Sequence, residues 1–157
     1  MNEEAVAGRR TIVVGVDATP AAEAALRWAI DYARNVGAEV VAVHAYEIPV
    51  YYADPYSAAM PTMLEPEFRD GVRMRFEEDW CAPLASAGIP HRTVMADGDA
   101  ASVLIDVAER VSAELIVTGR RGLNTLGELV LGSVSHHLVH RSKQPVVLVP
   151  VDHRMAA

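Results

Sequence analysis

Apolar residues along this chain fall into short dense runs separated by stretches in which they recur every three or four positions. Thr11 to Asp17 (TIVVGVD) is a β-branched run that reads as a buried strand. Ala25, Leu26, Ala29, Ile30 and Ala33 then form one helical stripe. Thr19 is placed to cap that helix, Pro20 to open it and Gly37 to stop it. Glu39 to Tyr46 (EVVAVHAY) predicts the second strand. The next stretch, EIPVYYADPYSAAMPTMLEP, holds four prolines and no period, so residues 47–66 read as a long loop. From Glu67 to Ala87, Phe68, Val72, Phe76, Trp80 and Leu84 are spaced by fours, which predicts a helix. Pro83 predicts that it kinks or ends near Cys81. Pro90 to Met95 predicts strand three. Asp99 caps a helix striped by Val103, Leu104, Val107, Ala108 and Val111, and Glu114 to Thr118 is strand four. Ser133 to Ser142 and Pro145 to Pro150 (PVVLVP) close the chain as helix and strand.

The order βαβαβαβαβ, with strands apolar on both faces, predicts an α/β domain: a parallel sheet covered by helices on both sides. In such sheets ligands sit at the carboxyl ends of the strands, where the strand order reverses. Asp17 and Gly119 both fall at such ends. The 157 residues suit one domain, over 11–151, with residues 1–10 as a mobile tail and 152–157 as a short C-terminal one. The net charge of −7 supplies no basic excess, which argues against nucleic acid and anionic membrane as partners. No apolar run approaches the ~20 residues of a membrane helix, and the N-terminus lacks a signal-like apolar region. Cys81 stands alone, which excludes an internal disulfide and fits a reducing cytoplasm.

The candidate chemistry lies in residues 118–135, TGRRGLNTLGELVLGSVS, with the spacing G-x2-G-x9-G-S. This is neither a Walker A loop nor a Rossmann fingerprint, because no Lys follows the last glycine and Gly15 stands alone after the first strand. One reading is an anion cradle. Glycines turn backbone N–H groups towards one point, Ser133 adds a hydroxyl at a helix start, and Arg120 and Arg121 add positive charge. Leu126, Leu129 and Val130 suggest a short helical turn between. The other reading is ordinary turns with Ser133 as an N-cap. Asp17 is open to two readings as well, a ligand-facing carboxylate or a helix-start one. His136, His137 and His140 lie three and four apart on one helix but lack a further ligand, so they read as a helix end rather than a metal site. His44 reads as a satisfied core residue and Cys81 as a buried inert thiol. Tyr46, Tyr51, Tyr52 and Tyr56 read as loop packing, with a lid over a bound base as the alternative.

With the glycine pattern met by Gly119, Gly122, Gly132 and Ser133, the chain resembles the universal stress protein family of the ATP-binding type, over roughly residues 9–151. VVGVDATPAAEAALRWA resembles the family's opening strand and helix, DGDAASVLIDVAERVSAELIVTGRRG its second signature, and GSVSHHLVHRSKQPVVLVP its close. The resemblance implies a single five-stranded parallel sheet in the order 3-2-1-4-5, a Rossmann-like fold of the adenine nucleotide alpha hydrolase type. It implies that Gly119, Gly122, Gly132 and Ser133 cradle a triphosphate, flanked by Arg120, Val134 and Ser135. It places Gly15 and Val16 along the cleft, Ala45 against the adenine edge, and Asp17 near the ribose and a Mg2+ ion bridged through the phosphates. It also implies a homodimer through the edge strand Pro145–Pro150. The function expected is a cytoplasmic ATP-binding stress-response regulator acting through conformation or partners. The alternatives are a slow ATP hydrolase, or an interaction module that binds another adenine nucleotide such as cyclic AMP. Thr19 departs from the family's usual serine but keeps the hydroxyl.

Overall fold

A computed structural model describes residues 9–47, 61–120 and 132–151, with the side chains of 61–65 excepted. The strands are β1 (Thr11–Gly15), β2 (Glu39–Tyr46), β3 (His91–Asp97), β4 (Leu115–Arg120) and β5 (Val146–Pro150). The helices are α1 (Pro20–Val36), α2 (Pro61–Arg75), α3 (Ala82–Ala87), α4 (Ala100–Arg110) and α5 (Ser133–Arg141). All five strands are parallel, in the order β3-β2-β1-β4-β5.

Alternation along each strand splits the apolar residues between two cores. Ile12, Val14, Val40 and Ala42 face α1 and the segment that carries Phe76, Cys81 and Leu84. Val13, Val41, Val43 and Ile116 face α4 and α5, against Leu104, Val107 and Leu138. Helix α1 follows the expected grammar. Thr19 Oγ1 accepts from the Ala22 N–H, Pro20 opens the helix, and Gly37 at φ 69° ends it in the left-handed conformation that a Cβ disfavours.

The region after β2 departs from expectation. Residues 61–66 are not loop: α2 starts at Pro61, and Pro66 lies inside it. Pro suits the first helical position, whereas Pro66 removes one backbone bond to the preceding turn. The helix is anchored downstream by Val72 and Phe76, 7% and 0% exposed. Arg69 ties α2 to the sheet through Asp97 at 2.9 Å and lies over the Tyr46 ring. Phe68 is exposed rather than part of the buried stripe. The expected break near Cys81 is present as a widened π turn over Phe76–Trp80, closed by the Cys81 N–H on the Phe76 carbonyl. Pro83 then sits in the first turn of α3, where its missing N–H costs nothing.

Candidate functional site

β1 and β4 are neighbours, Val14 pairing with Val117, so the chain leaves them in opposite directions and a crevice opens at their carboxyl ends. A cavity of about 180 Å³ occupies that crevice. Its walls include Gly15, Val16 and Asp17 after β1, Ala45 on β2, Gly119 on β4, and Gly132 to Ser135 at the start of α5. These residues, 120 positions apart from Gly15 to Ser135, converge only through the sheet order. Arg120 ends β4 beside the cavity without lining it. Arg121 and Gly122, the turn expected around Leu126, Leu129 and Val130, and Tyr51, Tyr52 and Tyr56 lie outside the described residues.

Gly15 keeps the floor open. A Cβ there would stand 3.2 Å from Leu104 Cδ1 and 3.8 Å from Thr118 Oγ1. Gly119 has a different reason from the one expected. It lies in a strand and is not among the described glycines with positive φ. Instead α1 descends so closely that a Cβ at Gly119 would lie 2.3 Å from the Ala21 carbonyl oxygen. Gly119 is thus required by close packing between helix and strand, before any ligand is considered.

Helix α5 starts at Ser133 as expected, but Ser133 is not its N-cap. Gly132 is the N-cap, at φ −59°, and Ser133 is the first helical residue. Gly132 offers no side-chain acceptor, so among the described residues no side chain caps the first N–H groups of α5 where they meet the cavity. Ser135, 3% exposed, donates its hydroxyl to the Gly119 carbonyl at 3.4 Å and ties the helix start to the end of β4. Val134 packs against the α4 side of the core. Across the crevice, Asp17 Oδ1 accepts from the Thr19 N–H at 2.8 Å and from its hydroxyl at 2.5 Å. Asp17 is therefore a helix-start carboxylate that also lines the cleft.

Ala45 has backbone groups that the sheet leaves over. In a parallel ladder both polar groups of a residue point to the same neighbouring strand. The Val43 carbonyl accepts from the Val16 N–H, at the point where β1 ends. Two residues on, Ala45 turns its N–H and C=O to the same side, beyond the last paired residue of β1. A donor and an acceptor thus lie side by side at the rim of the cleft.

Sequence reasoning missed Ala21, Ala22, Val43, Ala100, Leu104 and Thr118, which also form the walls. Thr118 immediately precedes Gly119 at a strand end and could have been found from that position; Leu104 reaches the cleft only through packing of α4. His44 is satisfied as expected, its Nδ1 lying 2.9 Å from the Val16 carbonyl, yet it also lines the cavity. Cys81 is buried, and its burial, aided by Glu77, pushes its pKa up to about 12. His136 and His140 bring their rings to 4.4 Å, but no group of three or more metal-ligating side chains occurs among the described residues. No helix of the described residues is long and apolar enough to cross a membrane.

Residues 8–150 match the model of the Universal stress protein family. The chain is 33% identical over 149 residues to a universal stress protein of Mycolicibacterium smegmatis, covering 92% of this chain but 49% of that one, about half its length. It is 33% identical over 143 residues to the universal stress protein in the QAH/OAS sulfhydrylase 3' region of Thermus aquaticus, covering 89% of this chain and 98% of that one. A solved universal stress protein in complex with cAMP has a TM-score of 0.60 to it at 26% identity, covering 92% of this chain and 98% of that one. With the sheet order, the crevice and these similarities together, the chain belongs to the universal stress protein family.

Proposed function

We propose that the chain is a regulatory module that binds an adenine nucleotide, with ATP as its principal ligand. The observation that carries this is the uncapped start of α5 opening onto the same cleft as the leftover backbone pair of Ala45. The helix start favours a phosphate through its free N–H groups and dipole. The N–H and C=O of Ala45 suit an adenine edge, which presents an acceptor beside a donor. Asp17 keeps a second carboxylate oxygen for the ribose side. The family relative solved with cAMP supports an adenine nucleotide as the ligand class. The G-x2-G-x9-G-S spacing, which runs through Gly122, supports a polyphosphate over a monophosphate.

Mg2+ fits this donor set in one way only. Among the described residues Asp17 is the single carboxylate that lines the cleft, and Mg2+ is commonly held by one or two carboxylates together with substrate phosphates. Asp17 would therefore hold the ion jointly with the nucleotide, and the ion would neutralise phosphate charge. β5 is a sheet edge whose Val146, Val147 and Leu148 are only partly covered, so a second copy pairing along it would complete the sheet as a homodimer.

Calorimetric titration of the purified chain with ATP, AMP and cAMP, with and without Mg2+, tests the reading. Micromolar or tighter ATP binding is expected, and Gly122→Val is expected to abolish it while the melting temperature of the free protein holds. No binding of any of the three nucleotides overturns it. Light scattering of the same sample tests the dimer, with Val147→Lys expected to give monomers.

A further inference from the structure

His44 occupies a position between two parts of the molecule that the nucleotide reading leaves unconnected. Its ring lines the cleft. Its Nδ1 stands 2.9 Å from the carbonyl oxygen of Val16, and since a carbonyl only accepts, Nδ1 carries the proton. That bond fixes the peptide at which the chain turns from β1 towards Asp17, and the Val16 N–H is held in turn by Val43. The ring also meets Trp80 edge-on, with centroids 5.1 Å apart, and lies 5.6 Å from Phe76. Phe76 and Trp80 are the first and last residues of the π turn, and their own rings are 6.3 Å apart. A π turn is an uncommon distortion often found next to functional sites, and here it presents both aromatic rings to one imidazole.

We propose that His44 is a positioning residue that holds the Val16 corner of the cleft and transmits nucleotide occupancy to the π turn through Trp80. The proposal rests on the nucleotide reading of the cleft. A ligand seated against Val16 and Asp17 loads the hydrogen bond from His44, and a ring packed against two others cannot shift without moving them. The surface that responds is the exposed acidic segment Glu77, Glu78 and Asp79, which lies between the two aromatic residues.

The chain has two tryptophans, and Trp28 stacks on Tyr32 in α1, so Trp28→Phe leaves Trp80 as the sole emitter. In that background, ATP is titrated by calorimetry and by tryptophan emission side by side. Emission is expected to shift with a midpoint equal to the calorimetric Kd. His44→Asn places an amide N–H near the position of Nδ1 but lacks the ring. It is expected to bind ATP more tightly than a variant without the donor and, at saturating ATP, to lose the emission response. His44→Phe keeps a ring against Trp80 but lacks the donor, and is expected to bind ATP about tenfold more weakly, which corresponds to about 1.4 kcal/mol. Emission that stays flat while calorimetry records binding overturns the coupling and leaves the nucleotide reading standing. A full emission response in His44→Asn, or undiminished affinity in His44→Phe, also overturns it. Should His44→Phe fail to fold, the His44→Asn arm decides alone. No calorimetric binding in the parent overturns both this inference and the proposed function.

Discussion

Helices α1, α4 and α5 all begin at the cleft, the first two with side-chain caps and the third without. Thr19 caps α1 at 3.2 Å from the Ala22 N–H, and Asp99 caps α4 at 2.9 Å from the Ser102 N–H. Gly132 caps α5 with nothing beyond its backbone. A Ser, Thr, Asp or Asn cap contributes about 1 kcal/mol relative to alanine, because it satisfies an N–H that the helix itself cannot. Two of the three helix starts are therefore satisfied within the chain, and their dipoles offer less to a ligand. The third has no side-chain cap among the described residues. On the proposed reading the two capped helices build the cleft, and the helix without a described side-chain cap is the one that meets the phosphate.

The largest effect on this contrast should come from Gly132→Asp, which gives α5 the same kind of cap as α4. At φ −59° a side chain is tolerated, so the fold is expected to gain a few tenths of a kcal/mol. The added carboxylate would occupy the anion position, and ATP affinity should fall by about a hundredfold or more in calorimetry, about 3 kcal/mol. Unchanged affinity would remove α5 from the site. Gly119→Ala should come next. Its Cβ would meet the Ala21 backbone, and overpacking of this kind costs about 1–3 kcal/mol, read as a lower denaturation midpoint. Asp99→Ala should cost about 1 kcal/mol of stability and leave ATP affinity unaltered, which would separate a cap that serves only its helix from the cleft itself.

A smaller effect is expected from acid titration of that same cap. The Asp99 carboxyl is held below the usual carboxylate range, first by the Ser102 backbone N–H and then by its hydroxyl. A depressed folded-state pKa contributes stability that is fully present above the unfolded value. It is lost as pH falls through the folded one. The stability difference between the parent and Asp99→Asn should therefore be constant at neutral pH and shrink only below about pH 4. The smallest effect concerns Cys81, on the far side of the sheet from α4 and α5. With its pKa near 12 it stays a thiol at neutral pH, and a thiol reagent should label it at the rate of global opening rather than at that of a free cysteine.

Local signals were legible where local physics decides. Thr19, Pro20 and Gly37 bounded α1, Asp99 opened α4, and Pro83 marked the break that the π turn makes at Cys81. The alternation of strands and helices implied a parallel sheet, and the family resemblance supplied its order. The start of α2 was missed because Pro61 and Pro66 read as loop, while the burial that anchors the helix lies further along, at Val72 and Phe76. The packing that requires Gly119 was not legible, since the Ala21 carbonyl that crowds it lies almost a hundred positions earlier in the chain.

The sequence by itself determined the elements, their caps and the class of sheet, because spacing, side-chain branching and missing Cβ atoms act within a few residues. Only the tertiary structure decided which of those features face one another. The Ala45 backbone is left over because β1 ends beside it, and His44 bridges Val16 and Trp80 because a sheet and a π turn meet at its ring. Those contacts depend on where strands end relative to their neighbours and on how closely helices descend upon them. Both are set by packing between segments distant in the chain, and no local spacing encodes them.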